Sequence, residues 1–563
     1  MLRRMACIRA TTRTIALLAV MSLPARAQAP TTGAPRMLPL SPMGLIGSPF
    51  DDDARLRQLE GHAPAQGLTA RTSSRIAPLD SPWASGLPGP RRCTPRFRAL
   101  APEIATAWNS AIPYERNDGA AWVGRGLTMQ AIGGVRVACG GVRLQIAPEI
   151  WHARNRDFAL IGITVDGMSG YSNPFFSGTG WSADMPLRFG SEPVTGIDPG
   201  QTSLEVDAGP VTLALSSESE WWGPGIRNAL LLSNHAAGIP RFYVRTRQPV
   251  RTRAGLLEAR WMVGALVESP YFDFDPANDQ RSISGLIVSL APEFDTNLTI
   301  GAARVVYAAI PGAGALPARF FDAVARWGQG ANLRRATEGR SADQLVAWFG
   351  RWVFPGSGVE VYGEWARVIF PASITSLLTA PYQSQGYTVG LQWLSGLRQS
   401  APVWRVQAEA TNLEQPTPTR DVLPLTFYVS PTPRQGYTHR GQVLGAAIGP
   451  GSSTQFVALD RFWDAGSRQA GAFLSRTRWQ NDAYFRAPTG LSVWAHDVSL
   501  VAGARGVWRA DALELSGELL FERRLNYLFQ SATVGFLEDD TFDLNNVSLR
   551  IVLTPVGRSQ RGR

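Results

Sequence analysis

At 563 residues the chain is too long for one ordinary soluble domain of about 100–200 residues. Hydrophobic residues make up 44%, with 18 tryptophans and 24 phenylalanines, and the mean hydropathy is −0.08; this excludes both a disordered chain and a bundle of membrane helices. Every basic side chain is arginine, and the formal charge of +10 falls to +5 once the five arginines of the leader are removed, too small an excess to point to nucleic acid.

Residues 1–27 read as a cleaved secretory signal. Arg3, Arg4, Arg9 and Arg13 form a basic start, Ile15–Leu23 an apolar core, and Ala25-Arg26-Ala27 a small-x-small cleavage site. The core is shorter than the about 20 residues that a spanning helix needs. Two cysteines remain after the leader, Cys93 and Cys139; an exported chain can oxidise them to one disulfide, and two cysteines make no metal site.

Residues 28–133 read as an N-terminal extension. It opens with an Ala/Pro/Thr/Gly-rich stretch to about residue 48. Ala54–Glu60, preceded by Asp51-Asp52-Asp53 and stopped by Gly61, predicts a short helix. A Pro/Gly-rich stretch runs on to Arg98, Pro102–Trp108 reads as a helical turn, and Asn117-Asp118-Gly119 as a tight turn.

From about Val135 onward, segments of roughly ten residues alternate apolar and polar positions between Gly, Pro, Asn and Asp breaks. Trp404, Val406, Ala408 and Ala410 alternate with Arg405, Gln407 and Glu409; Leu513, Leu515, Leu519 and Phe521 alternate with Glu514, Ser516 and Glu518. A soluble sandwich or propeller would bury the apolar face, and a transmembrane barrel would turn it to lipid. The barrel is favoured by the charged opposite face (Glu258, Arg260, Glu360, Glu364), by Trp261, Trp365, Trp393, Tyr527 and Phe529 near segment ends as girdles, and by the leader. No propeller-like repeat of about 40–50 residues appears. About 420 residues at roughly 23–26 per strand and connection predict on the order of 16–18 strands. The expectation is an all-β protein: a large transmembrane antiparallel β-barrel over residues 134–556, short helices in a periplasmic N-terminal region, and a basic tail at 557–563. Leu316–Leu333 has helical spacing and is expected to form a helix in a loop or on one barrel end.

Several stretches together resemble the Wzi family of outer-membrane capsule-assembly proteins. They are Trp108-Asn109-Ser110, Asn117–Ala120 and Gly124-Arg125-Gly126; Trp221–Gly225 with Asn228 and Leu231–Asn234; Arg351–Gly358 running into Glu360–Glu364; and Tyr437–Arg440 with Leu444-Gly445. The resemblance implies an 18-stranded outer-membrane barrel with helical elements on the periplasmic side, and lectin-like, non-catalytic attachment of capsular polysaccharide to the cell surface. The chain departs from the pattern of such barrels in its basic end, Arg558–Arg563, where an aromatic residue is usual.

The residues themselves offer one candidate ligand site. Trp221 and Trp222 run into Gly223-Pro224-Gly225, which forces a turn, with Glu218, Glu220, Arg227, Asn228 and Asn234 close by. A ring stacks on the apolar face of a pyranose while carboxylate, amide and guanidinium groups take its hydroxyls, and arginine suits uronic-acid carboxylates. The same turn also fits a hairpin whose rings pack on a neighbouring strand, or a girdle at the lipid interface. Enzyme chemistry has little to draw on. The histidines are His62, His152, His235, His439 and His496, with no metal-ligand spacing and no Gly-x-Ser-x-Gly elbow in a strand–turn–helix context; His235 and His439 are the ones to test. The expectation is a monomer in outer-membrane lipid that binds capsular or other surface polysaccharide, with no cofactor, metal, nucleic acid or catalysis. A passive porin is the alternative, and an outer-membrane hydrolase a third.

Overall fold

The computed structural model describes residues 40–555 apart from 66–67, 75–94, 115–116, 162–164, 178–181, 326–341, 369–372, 399–401, 417–425, 486–494, 511 and 531–541. The leader, Cys93 and the tail at 557–563 lie outside these residues; Cys139 is disulfide-bonded.

The alternating segments pair with their neighbours, all antiparallel, into a closed barrel of 18 strands. They are β1 (Arg96–Asn109), β2 (Gly126–Cys139), β3 (Val142–Ile146, continued by Glu149–Ala153), β4 (Val194–Asp198, continued by Ser203–Ala208), β5 (Val211–Ser216) and β6 (Arg241–Thr246, continued by Val250–Thr252). Next come β7 (Gly255–Val267), β8 (Gln280–Pro292), β9 (Leu298–Ala309), β10 (Ala342–Phe354), β11 (Val359–Arg367) and β12 (Gln385–Leu394). The last are β13 (Val403–Asn412), β14 (Ser453–Trp463), β15 (Arg468–Arg478), β16 (Val498–Arg509), β17 (Leu513–Leu525) and β18 (Leu544–Pro555). Closure runs through β1, which pairs with β18 on one side and β2 on the other. Both pieces of β3 pair with β2, and both pieces of β6 with β7. Pro148, Pro199 and Pro249 stand at the breaks in β3, β4 and β6, where a ladder donor is missing.

The barrel starts earlier than the alternation indicated. β1 and the first part of β2 lie in chain assigned to the extension, and Pro102–Trp108 is strand, not a helical turn. The cause is a register shift between Leu100 and Glu103 beside Pro102, which breaks the period of two.

The two faces are reversed relative to a soluble protein. On β13, Arg405, Gln407, Glu409 and Thr411 are buried while Trp404 is 42% exposed. Val457, Leu459, Leu474, Leu500, Leu519 and Phe521 are likewise exposed on the outside. That is the pattern of a wall facing lipid around a polar interior. One end of the barrel has short turns, such as Gly140-Gly141 and Arg253-Ala254; the other carries long loops, such as 217–240 and 413–452. Exposed Trp352, Trp393, Trp404 and Trp508 ring the short-turn end. Of the expected girdle residues, Trp393 belongs to this ring. Trp261 is instead covered by Phe320 (centroids 4.3 Å apart, 15°), Trp365 stacks on Trp348 (5.1 Å), and Tyr527 and Phe529 are buried in a loop cluster. Leu316–Leu333 is helical only at Leu316–Arg319 among the described residues, and its Phe320 lies on the outer wall.

α1 (Pro49–Leu59) begins at Ser48, whose Oγ accepts from the Asp51 N–H, with Pro49 in the first turn and Asp51 and Asp52 at the positive end of the helix dipole. It packs inside the short-turn end, its Leu56 and Leu59 against Val353, Leu394, Val403 and Phe462. Its charges meet those of the inner wall, Arg55 with Glu360 and Asp52 with Arg405 (2.7 Å), and Glu60 just after it meets Arg398 of the β12–β13 turn (2.9 Å).

Candidate functional site

The Trp-Trp-Gly-Pro-Gly turn belongs to the loop between β5 and β6, which folds into the barrel instead of standing above it. Two inward carboxylates hold it. Glu364 on β11 accepts from the Gly225 N–H (2.8 Å) and the Leu230 N–H (2.9 Å). Glu409 on β13 accepts from the N–H groups of Ile226 (2.8 Å), Arg227 (3.1 Å) and Asn228 (2.9 Å), and from the Tyr362 hydroxyl (2.8 Å). Five consecutive or near-consecutive backbone donors thus point at two buried carboxyl groups, the arrangement that satisfies a sharp turn away from water. Gly223 has φ +108°, and a Cβ there would lie 2.3 Å from Glu364 Oε1, so only glycine lets the turn approach its anchor.

Trp221 and Trp222 are each 2% exposed. Trp221 donates from Nε1 to Gly225 O (3.0 Å) and lies under Arg71. Trp222 packs over Gly285 of β8, where a Cβ would meet the indole at 2.7 Å. The backbone of the pair adds a two-residue strand to Ala70–Arg71. Glu220 is enclosed between Arg260 and Arg241, and Glu218 accepts from Ser73 and Ser74. Arg227 stands over the Phe456 ring (4.1 Å), Asn228 is buried at Glu409, and Asn234 donates from Nδ2 to Ile46 O and Asn117 O. The seven residues singled out from sequence therefore lie on one inward-folded loop, each engaged by partners from the barrel wall or from other loops. The rings offer no face to a sugar in this arrangement, and a packing turn is what the burial describes.

The loop between β13 and β14 closes over this plug. Tyr428 donates to Leu230 O (2.8 Å), accepts from the Ala446 N–H (2.9 Å) and stacks on Tyr437 (5.8 Å). Ser233 Oγ donates to Gly445 O (2.6 Å). From the other end, α1 reaches the same turn: Arg55 Nη2 donates to Pro224 O (2.7 Å). The two histidines considered for chemistry serve this packing. Burial pushes His235 down to about 4; burial, with Arg440 and Arg281 nearby, holds His439 well below its usual range. His439 Nδ1 accepts from the Val267 N–H.

At the outer end of the long loops, three segments knit a cap. Asp184 accepts from the Ser269 N–H (2.7 Å) and hydroxyl (2.6 Å), Ser172 Oγ donates to Phe272 O (2.6 Å), and Gln435 Nε2 donates to Glu268 and to Asn278. On its surface Phe274 is 73% exposed, Tyr171 and Tyr271 meet edge to face at 5.8 Å, and Arg434 is half-exposed. Sequence reasoning missed this patch because isolated loop aromatics carry no period; only the spacing of loop lengths could have pointed to it.

The cap has a built-in pH response. Burial, with Asp273, Asp184 and Asp279 close by, pushes the Glu268 carboxyl up to about 8 against a usual value of 4.5, the Gln435 hydrogen bond acting the other way. Between those values the folded cap keeps a proton that the open chain releases, so the contribution of Glu268 to the cap's stability is present at low pH and is lost as pH rises from about 5 to about 8. Hydrogen exchange of residues 268–279, corrected for its intrinsic pH dependence, should accelerate through that window in the native protein and stay level in Glu268→Gln. A level profile in the native protein would contradict this.

The family model for capsule assembly protein Wzi matches residues 196–496. Among solved structures, the chain is similar to Wzi of Escherichia coli, described as an outer-membrane protein involved in group 1 capsule assembly and a carbohydrate-binding β-barrel; identity is 11%, TM-score 0.56, with 90% of this chain and 98% of that one covered. It also matches a BenF-like porin of Pseudomonas fluorescens Pf-5 (8% identity, TM-score 0.35, 82% and 98% covered) and OccAB4 of Acinetobacter baumannii (6%, 0.36, 83% and 98%). No curated protein matches the sequence.

Proposed function

The chain belongs to the Wzi family of capsule assembly proteins, and on that premise we propose that it is a non-catalytic outer-membrane barrel that holds capsular polysaccharide at the cell surface. The observation that carries this reading past the family is the filled interior. The β5–β6 loop enters from one end and α1 from the other, and they meet at the Arg55–Pro224 hydrogen bond. A lumen occupied in this way does not serve solute diffusion, which leaves the outward loop surface as the working face. Long loops of such barrels face outward and short turns face the periplasm, so the cap looks out and the N-terminal extension with α1 lies on the periplasmic side. The leader is removed on export, and the barrel stands as a monomer in lipid.

The cap supplies the groups a saccharide needs. Phe274, Tyr271 and Tyr171 offer aromatic faces and Arg434 a fork for acidic sugars. Cells carrying Tyr271→Ala/Phe274→Ala/Arg434→Gln should shed most of their capsular polysaccharide into the medium while the barrel still assembles, as read by heat-modifiable migration. Full retention of capsule by an assembled triple variant would remove the cap from the reading. Trp221→Ala/Trp222→Ala should instead impair assembly itself, since it empties a packed core.

A further inference from the structure

A second polar site lies outside the lumen and away from the cap. On β12, Gly386, Thr388 and Gln392 face inward, so Gln385 and Tyr387 face out; on β13 and β15 the same alternation turns Asn412 and Arg478 outward. With Asn481 and Phe485 they line a crevice of about 400 Å³ at the long-loop rim of the outer wall. Glu414 organises it. Its carboxylate accepts from Arg478 Nε (2.8 Å) and Nη2, from Asn481 Nδ2 (2.8 Å) and from the Ser453 hydroxyl. Its negative charge is therefore answered within the protein. Gln385 spends its carbonyl on Trp365 Nε1 and Asn412 its own on the Glu414 N–H, which leaves the amino ends of both amides for a ligand. Asn481 Oδ1 is buried with no hydrogen-bond partner among the described residues. Tyr387 and Phe485 are 36% and 42% exposed.

Below the rim runs a row that carries two arginines. Gln455, Arg476, Leu500, Arg523 and Asn545 are successive cross-strand partners on β14 to β18, all on the outward face. Arg476 and Arg523 are thus two strands, about 10 Å, apart at one height; Arg523 is paired with Asp543 (2.8 Å), while Arg476 reaches the neutral Gln455 Oε1 (3.3 Å). Arg476 sits one outward step from Arg478 on the same strand, and the next outward residue below it is the exposed Leu474. Amides, two ring faces and guanidinium groups therefore stand directly above an apolar wall.

We propose that the crevice and Arg476 below it seat the anionic sugar headgroup of an outer-leaflet glycolipid, a site separate from the cap and independent of the capsule reading. The amides and rings take the sugar, Arg476 its phosphate or carboxylate group beside the Arg478–Glu414 pair, and the acyl chains run down the wall past Val389, Leu391 and Leu474. The opening is sideways, into the membrane, which is why the ligand is lipid-anchored and not a free chain.

The test uses the full-length protein reconstituted with lipopolysaccharide or with phosphatidylglycerol, followed by a delipidating detergent wash and native mass spectrometry. Native protein should retain lipopolysaccharide over phosphatidylglycerol, and Tyr387→Ala/Arg476→Gln should retain about tenfold less. Arg476→Lys with Tyr387 intact should keep most of the retention, and the cap triple variant all of it. Equal retention by the Tyr387→Ala/Arg476→Gln variant and native protein would overturn the proposal. So would delipidated core oligosaccharide binding the native protein as tightly as whole lipopolysaccharide, since the crevice would then belong to a soluble chain. Migration of each variant before and after heating shows that the barrel is intact.

Discussion

Planar bilayers containing the Glu364→Gln/Glu409→Gln variant should carry stepwise current, whereas the native protein stays silent. The two carboxylates together accept from the backbone N–H groups of Gly225, Ile226, Arg227, Asn228 and Leu230. A glutamine keeps one acceptor oxygen but turns an amino group toward the remaining donors. An unmet buried donor costs about 1–3 kcal/mol. The double variant therefore loosens the plug by on the order of several kcal/mol, enough to populate an open lumen. The apolar contacts of Trp222 with Leu230, Leu231 and Tyr243 remain, so openings should be intermittent. Adding Trp222→Ala removes a further about 3–5 kcal/mol and should make them long-lived. Silence from an assembled triple variant would show that something other than this loop blocks the barrel.

The second large effect concerns α1. Glu360 is fully buried, between Arg351 (3.0 Å) and Arg55, and takes a further bond from Gln392 Nε2 (3.1 Å). Glu360→Ala leaves two buried guanidinium groups facing each other without their anion. Losing one partner of such a network costs about 3–5 kcal/mol. Because the 18-strand ladder does not depend on this residue, the cost should appear as release of α1, not as loss of the barrel. Limited proteolysis should then cut within residues 49–65 in the variant and spare them in the native protein. Arg55→Met/Glu360→Met should cost less than the sum of its single changes, because both single changes lose the same Arg55–Glu360 pair and the double change also removes the repulsion between Arg55 and Arg351 that Glu360→Met alone leaves. Protection of α1 in the Glu360→Ala variant would show that its apolar seat on Val353 and Phe462 suffices.

The period of two and the caps of α1 are local properties, and the sequence carried them openly. Alternation along β13 or β17 declares two faces of opposite polarity, and the acids before Ala54 with Gly61 behind it declare a helix. Where the local signal was disturbed, the reading slipped: Pro102 and its bulge hid β1, and the breaks at Pro148 and Pro199 hid the continuity of β3 and β4. Girdle assignments slipped for a related reason. Trp261 and Trp393 are both outward tryptophans, but Phe320 covers the first, and nothing near Trp261 in sequence says so.

What the sequence determined by itself was a closed, lipid-facing β-barrel with charge on its inner face, because side-chain alternation is fixed by the pleat of each strand. What only the tertiary structure decided was which way the loops fold. Trp221 and Trp222 turned inward because Glu364 and Glu409, far along the chain, offer carboxyl oxygens to the backbone of the Gly-Pro-Gly turn, and Gly285 leaves room for an indole. Those partners meet only once the barrel has closed, so no window of sequence around the turn contains the information that buries it.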